Sequence, residues 1–336
     1  MDAIVLVGGQ GTRLRPLTAR RHKSLVPVCN RPAIEYLFAW LGRSGIRRIV
    51  LALGQMNEDL ALAYPPGTRG GIEHVIVMER ARLESGGAIR NAVATAGIEG
   101  RFLVVNGDIY VDFDFRAALA AHEAAGAELT LALCEVPNPS SFGVAAIDEE
   151  SMVTGFIEKP PPGTEPSNLI NAGAWIFEPQ LVAEIPPGPV RVEETLFPSL
   201  VARGRRVLGY RFAGPWADIG TPERYLELNR LLLRSGCDGL SPAVGIHNGA
   251  FVSESCAGRG TTIARGARVV GSVLWENVAI GAGAVVEDCV LADGVTVGES
   301  AVLRGAIAGA DAVIAPHANV PEGVLIEAGT TYGEQT

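Results

Sequence analysis

The chain has 336 residues, enough for two domains at roughly 150 residues each. A hydrophobic content of 48% with 19% charged residues supplies a large core and excludes wholesale disorder, and a net charge of −9 without a basic run argues against a nucleic-acid binder. No apolar run reaches the roughly 18 residues of a membrane span, and the opening Ala3-Ile4-Val5-Leu6-Val7 passes straight into glycines, unlike a secretory leader.

In chain order, residues 4–7, 49–53, 75–78, 102–105, 129–133 and 172–177 are short apolar runs that predict buried strands. Between them, residues 33–44, 87–96 and 115–125 have helical spacing and good helix formers. The alternation predicts an α/β sandwich with a mostly parallel sheet, whose ligands sit at the carboxyl ends of the strands. After a connection over 231–244 the pattern changes. Ile246, Ile263, Ile280, Val297 and Ile314 recur every 17 residues, each followed four positions later by alanine (Ala250, Ala267, Ala284, Ala301, Ala318). Val252, Val269, Val286, Leu303 and Val320 follow at six. This predicts a parallel β-helix of hexapeptide type with capped end coils and an exposed tail from Tyr332. The five cysteines are scattered, with no CxxC, and read as reduced thiols of a cytoplasmic protein.

The first strand runs into Gly8-Gly9-Gln10-Gly11-Thr12-Arg13-Leu14-Arg15-Pro16-Leu17. Glycines after a strand let backbone N–H groups approach phosphate oxygens, and Arg13 adds charge. The loop is not a Walker loop, since no Gly-Lys-Ser/Thr closes it, and Leu14 stands where a dinucleotide fingerprint has its third glycine. Lys23 and Lys159 are the only lysines in a chain that otherwise writes its cations as arginine. An ammonium is a compact charge on a flexible stem, which a guanidinium fork does not replace at every site. Asp108 and Asp218 each stand in a turn at a strand end, where the plain reading is a turn or cap residue and the chemical one a ligand for a hard cation.

Several segments, taken in order, resemble the signature of the sugar-1-phosphate nucleotidyltransferases. The opening loop matches that family's GGxGTRLxPLT, and Lys23-Ser24-Leu25-Val26-Pro27-Val28 with Asn30-Arg31-Pro32 matches PKPLxPxxxKP. Asn106-Gly107-Asp108 and Phe142-Gly143-Val144 follow. Phe156-Ile157-Glu158-Lys159-Pro160 matches FxEKP, Asn171-Ala172-Gly173 matches NAG, and Gly214-Pro215-Trp216-Ala217-Asp218-Ile219-Gly220-Thr221-Pro222 matches GxWxDIGTP. The resemblance implies a Rossmann-like catalytic domain over residues 1–232, a linker over 233–245 and a left-handed β-helix over 246–331, an appendage many members carry.

It also implies a reaction in which a sugar 1-phosphate attacks the α-phosphorus of a nucleoside triphosphate and pyrophosphate leaves. Such chemistry rests on positioning and charge neutralisation. Asp108 and Asp218 are then expected to hold Mg²⁺, Arg13 and Lys23 to face the triphosphate, and Lys159 to hold the sugar phosphate. Gly143, Glu158 and Asn171 are expected to read sugar hydroxyls. Leu6, Gly8, Gly9, Gln10, Gly11, Thr12, Glu79, Gly86, Gly87 and Asn106 are expected to line the nucleotide. Guanine presents donors that suit a carboxylate such as Glu79 or Glu84, whereas uracil or thymine suits an amide such as Gln10. Glu84-Ser85-Gly86-Gly87 departs from the family's GTAG toward branches acting on manno-configured or amino-sugar phosphates, and the nearest is mannose-1-phosphate guanylyltransferase. GTP with mannose 1-phosphate is therefore the specific expectation. UTP or dTTP with a glucose or amino-sugar phosphate, and a non-catalytic sensor of GDP-mannose, are the alternatives. His22 and Ser24 replace two prolines that usually flank the lysine, so the loop is expected to be mobile, with His22 an exposed residue without a role. His247 and His317 raise acyl transfer as a further activity, although five coils more often serve packing and homo-oligomer assembly.

Overall fold

The computed structural model describes residues 1–9, 11–54 and 57–333. Contacts divide the chain into two compact units: Met1–Gly9 with Tyr36–Trp216 form one, and the segment up to Glu35 joins the chain from Ala217 onward in the other. The Gly-rich loop is thus shared, with Gly8 and Gly9 in the first unit and Gly11 to Arg13 in the second.

The first unit is built on one mixed sheet. Its strands run in the order Val153–Glu158, Gly143–Ile147, Leu169–Phe177, Phe102–Asn106, Asp2–Val7, Arg48–Leu53, Ile72–Met78 and Gly67–Arg69. The four strands Phe102–Asn106, Asp2–Val7, Arg48–Leu53 and Ile72–Met78 are parallel, in the register Leu6 beside Ala52 and Asn106. Ile4, Val50 and Val104 are fully buried, as expected of parallel strands covered on both faces, and this is why they read as unbroken apolar runs. Leu169–Phe177 runs antiparallel to Phe102–Asn106 and to Leu129–Glu135, which in turn pairs in parallel with Val207–Arg211.

All six expected strands are present, each somewhat longer than its apolar run. The helices Ala33–Arg43, Glu84–Ala96 and Phe115–Ala124 stand where helical spacing placed them. Asp114 caps the last of these by accepting the N–H groups of Arg116 and Ala117 at 2.9 and 3.1 Å. The strands Gly143–Ile147, Val153–Glu158 and Val207–Arg211 were not foreseen, because their apolar residues are broken by glycine, threonine and glutamate.

In the second unit the repeat closes into three parallel sheets. Ile246, Ile263, Ile280, Val297 and Ile314 stack in one ladder, register partner on register partner. The alanines four positions later lie at the corners, and Ala284 and Ala301 are fully buried. The last rung breaks the period: Ile314 pairs with Tyr332, 18 residues on, so Tyr332 is a rung of the helix and not part of a tail. The first coil exposes Ile246 and Phe251, with the Arg268 guanidinium 4.8 Å from the Phe251 ring centre. The helix Pro222–Arg234, capped by Thr221, extends into the expected connection. All described cysteines are free thiols. Among the described residues no helix is long and apolar enough to cross a membrane.

Candidate functional site

In the first unit four strand ends, a strand start, a bulge and a helix start carry the expected residues. The strand Asp2–Val7 ends at the Gly8-Gly9 turn. Glu79, which follows Ile72–Met78, is buried and reaches this turn: its Oε1 is 3.7 Å from where a Cβ would stand on Gly8. Its Oε2 accepts the Leu83 N–H at 3.1 Å. Burial pushes the Glu79 carboxyl above its ordinary value, against the Leu83 hydrogen bond that favours its charge. Glu84, the other candidate acceptor, is held by Arg82 at 2.7 Å and Arg191 at 3.3 Å. It keeps a left-handed backbone, φ 56°, at the position where the family's motif has glycine. Gly86 and Gly87 are packed, not open: a Cβ there would meet Val190 Cγ2 at 2.8 Å and the Gly188 carbonyl at 2.5 Å. The Gly86 N–H donates to the Val190 carbonyl at 2.8 Å.

Asn106-Gly107-Asp108 ends the neighbouring strand. The Leu6 carbonyl accepts the Gly107 N–H at 2.9 Å, and a Cβ on Gly107 would fall 2.2 Å from Val7 Cγ1. Only glycine permits this approach, and the turn leaves Asp108 half-buried beyond the sheet. The opposing strand carries a bulge between Asn171 and Trp175, with Gly173 at φ 76° and the Asn106 amide 2.6 Å from its would-be Cβ. Asn171 Oδ1 accepts from the Gly173 N–H at 3.1 Å and the Trp175 indole at 2.6 Å, so its oxygen is engaged within the bulge and its Nδ2 takes no part in these bonds.

Gly143 faces Glu158 across an antiparallel pair, and the Glu158 carboxylate fills the space a side chain would need, 2.7 Å from the would-be Cβ. Lys159 follows at φ 48° although Pro160 comes next, a position that favours extended backbone. Strain of this kind costs about 1–3 kcal/mol and gathers at functional positions. The Lys159 N–H is held by the Phe142 carbonyl at 3.0 Å, and its ammonium lies 3.2 Å from Glu158 Oε1. Phe142 packs edge-on against Trp216, whose indole donates to the Ala172 carbonyl at 2.9 Å, tying the lysine turn to the Asn171 bulge. Glu193, missed in the sequence, accepts the Ser85 hydroxyl beside Gly86, and its carboxyl is raised by burial and then by the Glu158 charge. A pair of carboxylates in the Val192–Leu200 apolar stretch was the signal available.

The second unit holds the others. Gly11 takes φ 61°, and a Cβ there would stand 3.0 Å from Lys23 Cβ, so the lysine stem packs on the glycine loop. His22 is buried, and its Nδ1 accepts the Ser24 N–H at 3.2 Å, capping the turn Lys23–Leu25. This corrects the expectation of an exposed, roleless histidine: it does a proline's work by a hydrogen bond. Asp218 Oδ2 lies 2.4 Å from the would-be Cβ of Gly220, so a side chain there would displace the carboxylate, and Arg13 Nη2 stands in ordinary contact at 3.5 Å. Arg224 contacts both Asp218 oxygens at 2.9 Å, an arrangement sequence reading did not foresee. Gln10 lies outside the described residues.

Among the described residues no group of three or more His, Cys, Asp or Glu side chains could cage a metal. Asp108 in the first unit and Asp218 in the second are each half-buried carboxylates, hard oxygen donors of the type Mg²⁺ takes beside phosphate and water. A carboxylate has lone pairs enough for Arg224 and a cation together.

A family profile described as nucleotidyl transferase matches residues 2–235, and one described as the GlmU-like C-terminal hexapeptide matches 242–328. A mannose-1-phosphate guanylyltransferase of Mycobacterium tuberculosis is 34% identical over 296 residues, 82% of this chain and 80% of its own. A mannose-1-phosphate guanylyltransferase catalytic subunit beta of Drosophila pseudoobscura is 32% identical over 277 residues, covering 80% and 71%. Among solved structures, HddC of Yersinia pseudotuberculosis in complex with GMP-PN aligns with a TM-score of 0.58 at 24% identity, over 69% of this chain and 99% of its own. At that identity the likeness speaks for the fold alone.

Proposed function

Because this chain belongs to the sugar-1-phosphate nucleotidyltransferase family, we propose that it condenses GTP with mannose 1-phosphate to give GDP-mannose and pyrophosphate. The observation that carries the choice of base is Glu79. A buried carboxylate beside the Gly8 turn suits the adjacent N1–H and N2–H₂ donors of guanine, whereas uracil or thymine offers a single N3–H donor flanked by two carbonyl acceptors and so matches it less well. Glu84 is the weaker candidate, since Arg82 and Arg191 already engage it. The mannose-1-phosphate guanylyltransferases among its relatives support the sugar.

In this reading Arg13 and Lys23 neutralise the β- and γ-phosphates, and the backbone of Gly8, Gly9, Gly11 and Thr12 approaches the phosphate oxygens. Lys159, fixed by its strained turn, holds the phosphate of the sugar so that its oxygen is in line with the α-phosphorus. Glu158, Asn171 Nδ2 and the Gly143 backbone bind hydroxyls. Asp108 and Asp218 would hold Mg²⁺, which screens charge on the phosphates when bound.

The test is pyrophosphate release from GTP, ATP, UTP, CTP and dTTP against mannose, glucose and N-acetylglucosamine 1-phosphates, with and without Glu79→Gln. The GTP and mannose 1-phosphate pair should have the highest kcat/KM. Glu79→Gln should lower kcat/KM for GTP by about a hundredfold, the loss of one charge-assisted pair. A preference for UTP or dTTP would sink the base assignment. GDP-mannose binding without turnover of any pair would point to a sensor.

A further inference from the structure

Trp275 lies on the β-helix at the corner after the strand Val273–Leu274 and is 2% exposed. Its indole makes two different contacts in the second unit. The ring face lies under Arg21, whose guanidinium carbon is 5.1 Å from the ring centre. The indole N–H donates at 2.9 Å to the hydroxyl of Tyr225, fully buried on the helix Pro222–Arg234, and that hydroxyl donates to the Pro27 carbonyl. Arg21 and Pro27 bracket Lys23. One side chain of the β-helix therefore holds both ends of the turn that carries this lysine.

The neighbouring coils add to the hold. Asp293 pairs with Arg21 at 2.7 Å while its other oxygen accepts the Glu276 N–H at 3.1 Å, so the carboxylate is itself fixed by the coil. Arg20 pairs with Asp311 one coil further on, and Gly309 approaches Pro16 so closely that a Cβ there would stand 3.0 Å from Pro16 Cβ. Beyond the lysine, Cys29 donates its N–H to Asn229 Oδ1 and Asn30 donates to the Gly239 carbonyl, both at 2.8 Å. Arg21 and Asp293 are each about two-thirds buried, so solvent screens their pair less than it does the exposed Arg20–Asp311 pair.

We propose that Trp275 and Asp293 are positioning residues for Lys23, so that the β-helix is a working part of the triphosphate site and not an appendage. The inference rests on the reading of Lys23 as a triphosphate ligand. A lysine stem has wide rotamer freedom, and an ammonium contributes to binding only as far as its backbone is held where the phosphates arrive. The sequence put prolines' work on His22 and Ser24 at this loop, and the β-helix supplies the rigidity from outside it.

The experiment compares Asp293→Asn and Trp275→Phe with wild type in the full chain. Asp293→Asn keeps the oxygen that accepts the Glu276 N–H and replaces the oxygen facing Arg21 with an amide NH2, so both the ion pair and its hydrogen bond to Arg21 are lost. Trp275→Phe keeps a ring under Arg21 and removes the donor to Tyr225. Three quantities are read: KM for each substrate, the melting midpoint, and hydrogen exchange of the amides from 18 to 28. Asp293→Asn should raise KM for the triphosphate about tenfold, leave KM for the sugar phosphate and the melting midpoint unchanged, and speed exchange in that segment. Wild-type triphosphate KM and exchange in both variants overturns the proposal, as does an equal rise in both KM values with a lowered melting midpoint. If wild type turns over no pair of substrates, the functional reading fails instead. The exchange measurement, which needs no turnover, then decides whether Trp275 and Asp293 hold the loop.

Discussion

Lys159 carries backbone strain at φ 48°, and its ammonium lies beside Glu158. Arginine keeps the charge but is longer and planar, so Lys159→Arg should lose most turnover, and wild-type kinetics there would undo the positioning argument. Asp108→Ala and Asp218→Ala should each abolish pyrophosphate release while circular dichroism shows the fold intact; full activity in either would remove it from the metal assignment. Glu79 makes a claim about pH. Its carboxyl is raised above the ordinary 4.5 by burial. The folded state therefore holds the proton more tightly, and the stability that this gives is present below 4.5 and lost as pH rises through the folded value. Glu79→Gln removes that loss, so its melting midpoint should exceed wild type at pH 7 and match it near about pH 4. Lys159, Asp108 and Glu79 were legible in the sequence because each stands in or beside a contiguous motif. The strain at Lys159 was not, since φ depends on how the turn is held by Phe142.

Among the elements, the turn Lys23–Leu25 shows how a substituted motif is repaired. Where the family has prolines, His22 accepts the Ser24 N–H and is buried in doing so. His22→Ala should cost about 1 kcal/mol, the usual worth of a lost cap, measured as a shift in the denaturant midpoint. It should also raise KM for the triphosphate; an unchanged midpoint would mean the cap contributes nothing. The strands Phe102–Asn106 and Leu169–Phe177 make the complementary point. Gly107 and Gly173 are glycines because Val7 and the Asn106 amide occupy the space of a side chain. Their motifs were visible in the sequence, but the reason for the glycines lies in neighbours some hundred residues away in one case and 67 in the other.

For the molecule as a whole, acid should be more damaging than net charge alone implies. His74 is buried edge-on to Phe38, its Nδ1 has no partner among the described residues, and burial and then Arg69 hold it below its ordinary 6.5. His122, fully buried, is lowered by burial despite its contact with Glu178. For a lowered histidine the stability is present above 6.5 and lost as pH falls, because the unfolded chain binds the proton more tightly. The melting midpoint should drop between about pH 6.5 and pH 5, and His74→Leu should flatten that slope. An equally steep loss in the variant would place the sensitivity elsewhere.

The strands of the parallel core, the 17-residue coil and the family signature were determined by the sequence itself, because each is written in local periodicity or in residues adjacent along the chain. The mixed flank of the sheet was hidden, since its strands are short and broken by polar residues. Only the tertiary structure decided that Arg224 engages Asp218, that Glu193 reaches Ser85, and that the lysine loop belongs with the β-helix. The pair Arg21–Asp293 joins residues 272 apart in the chain. A contact of that span leaves no pattern in either segment, because it is set by how the coils stack and not by what stands next to either residue.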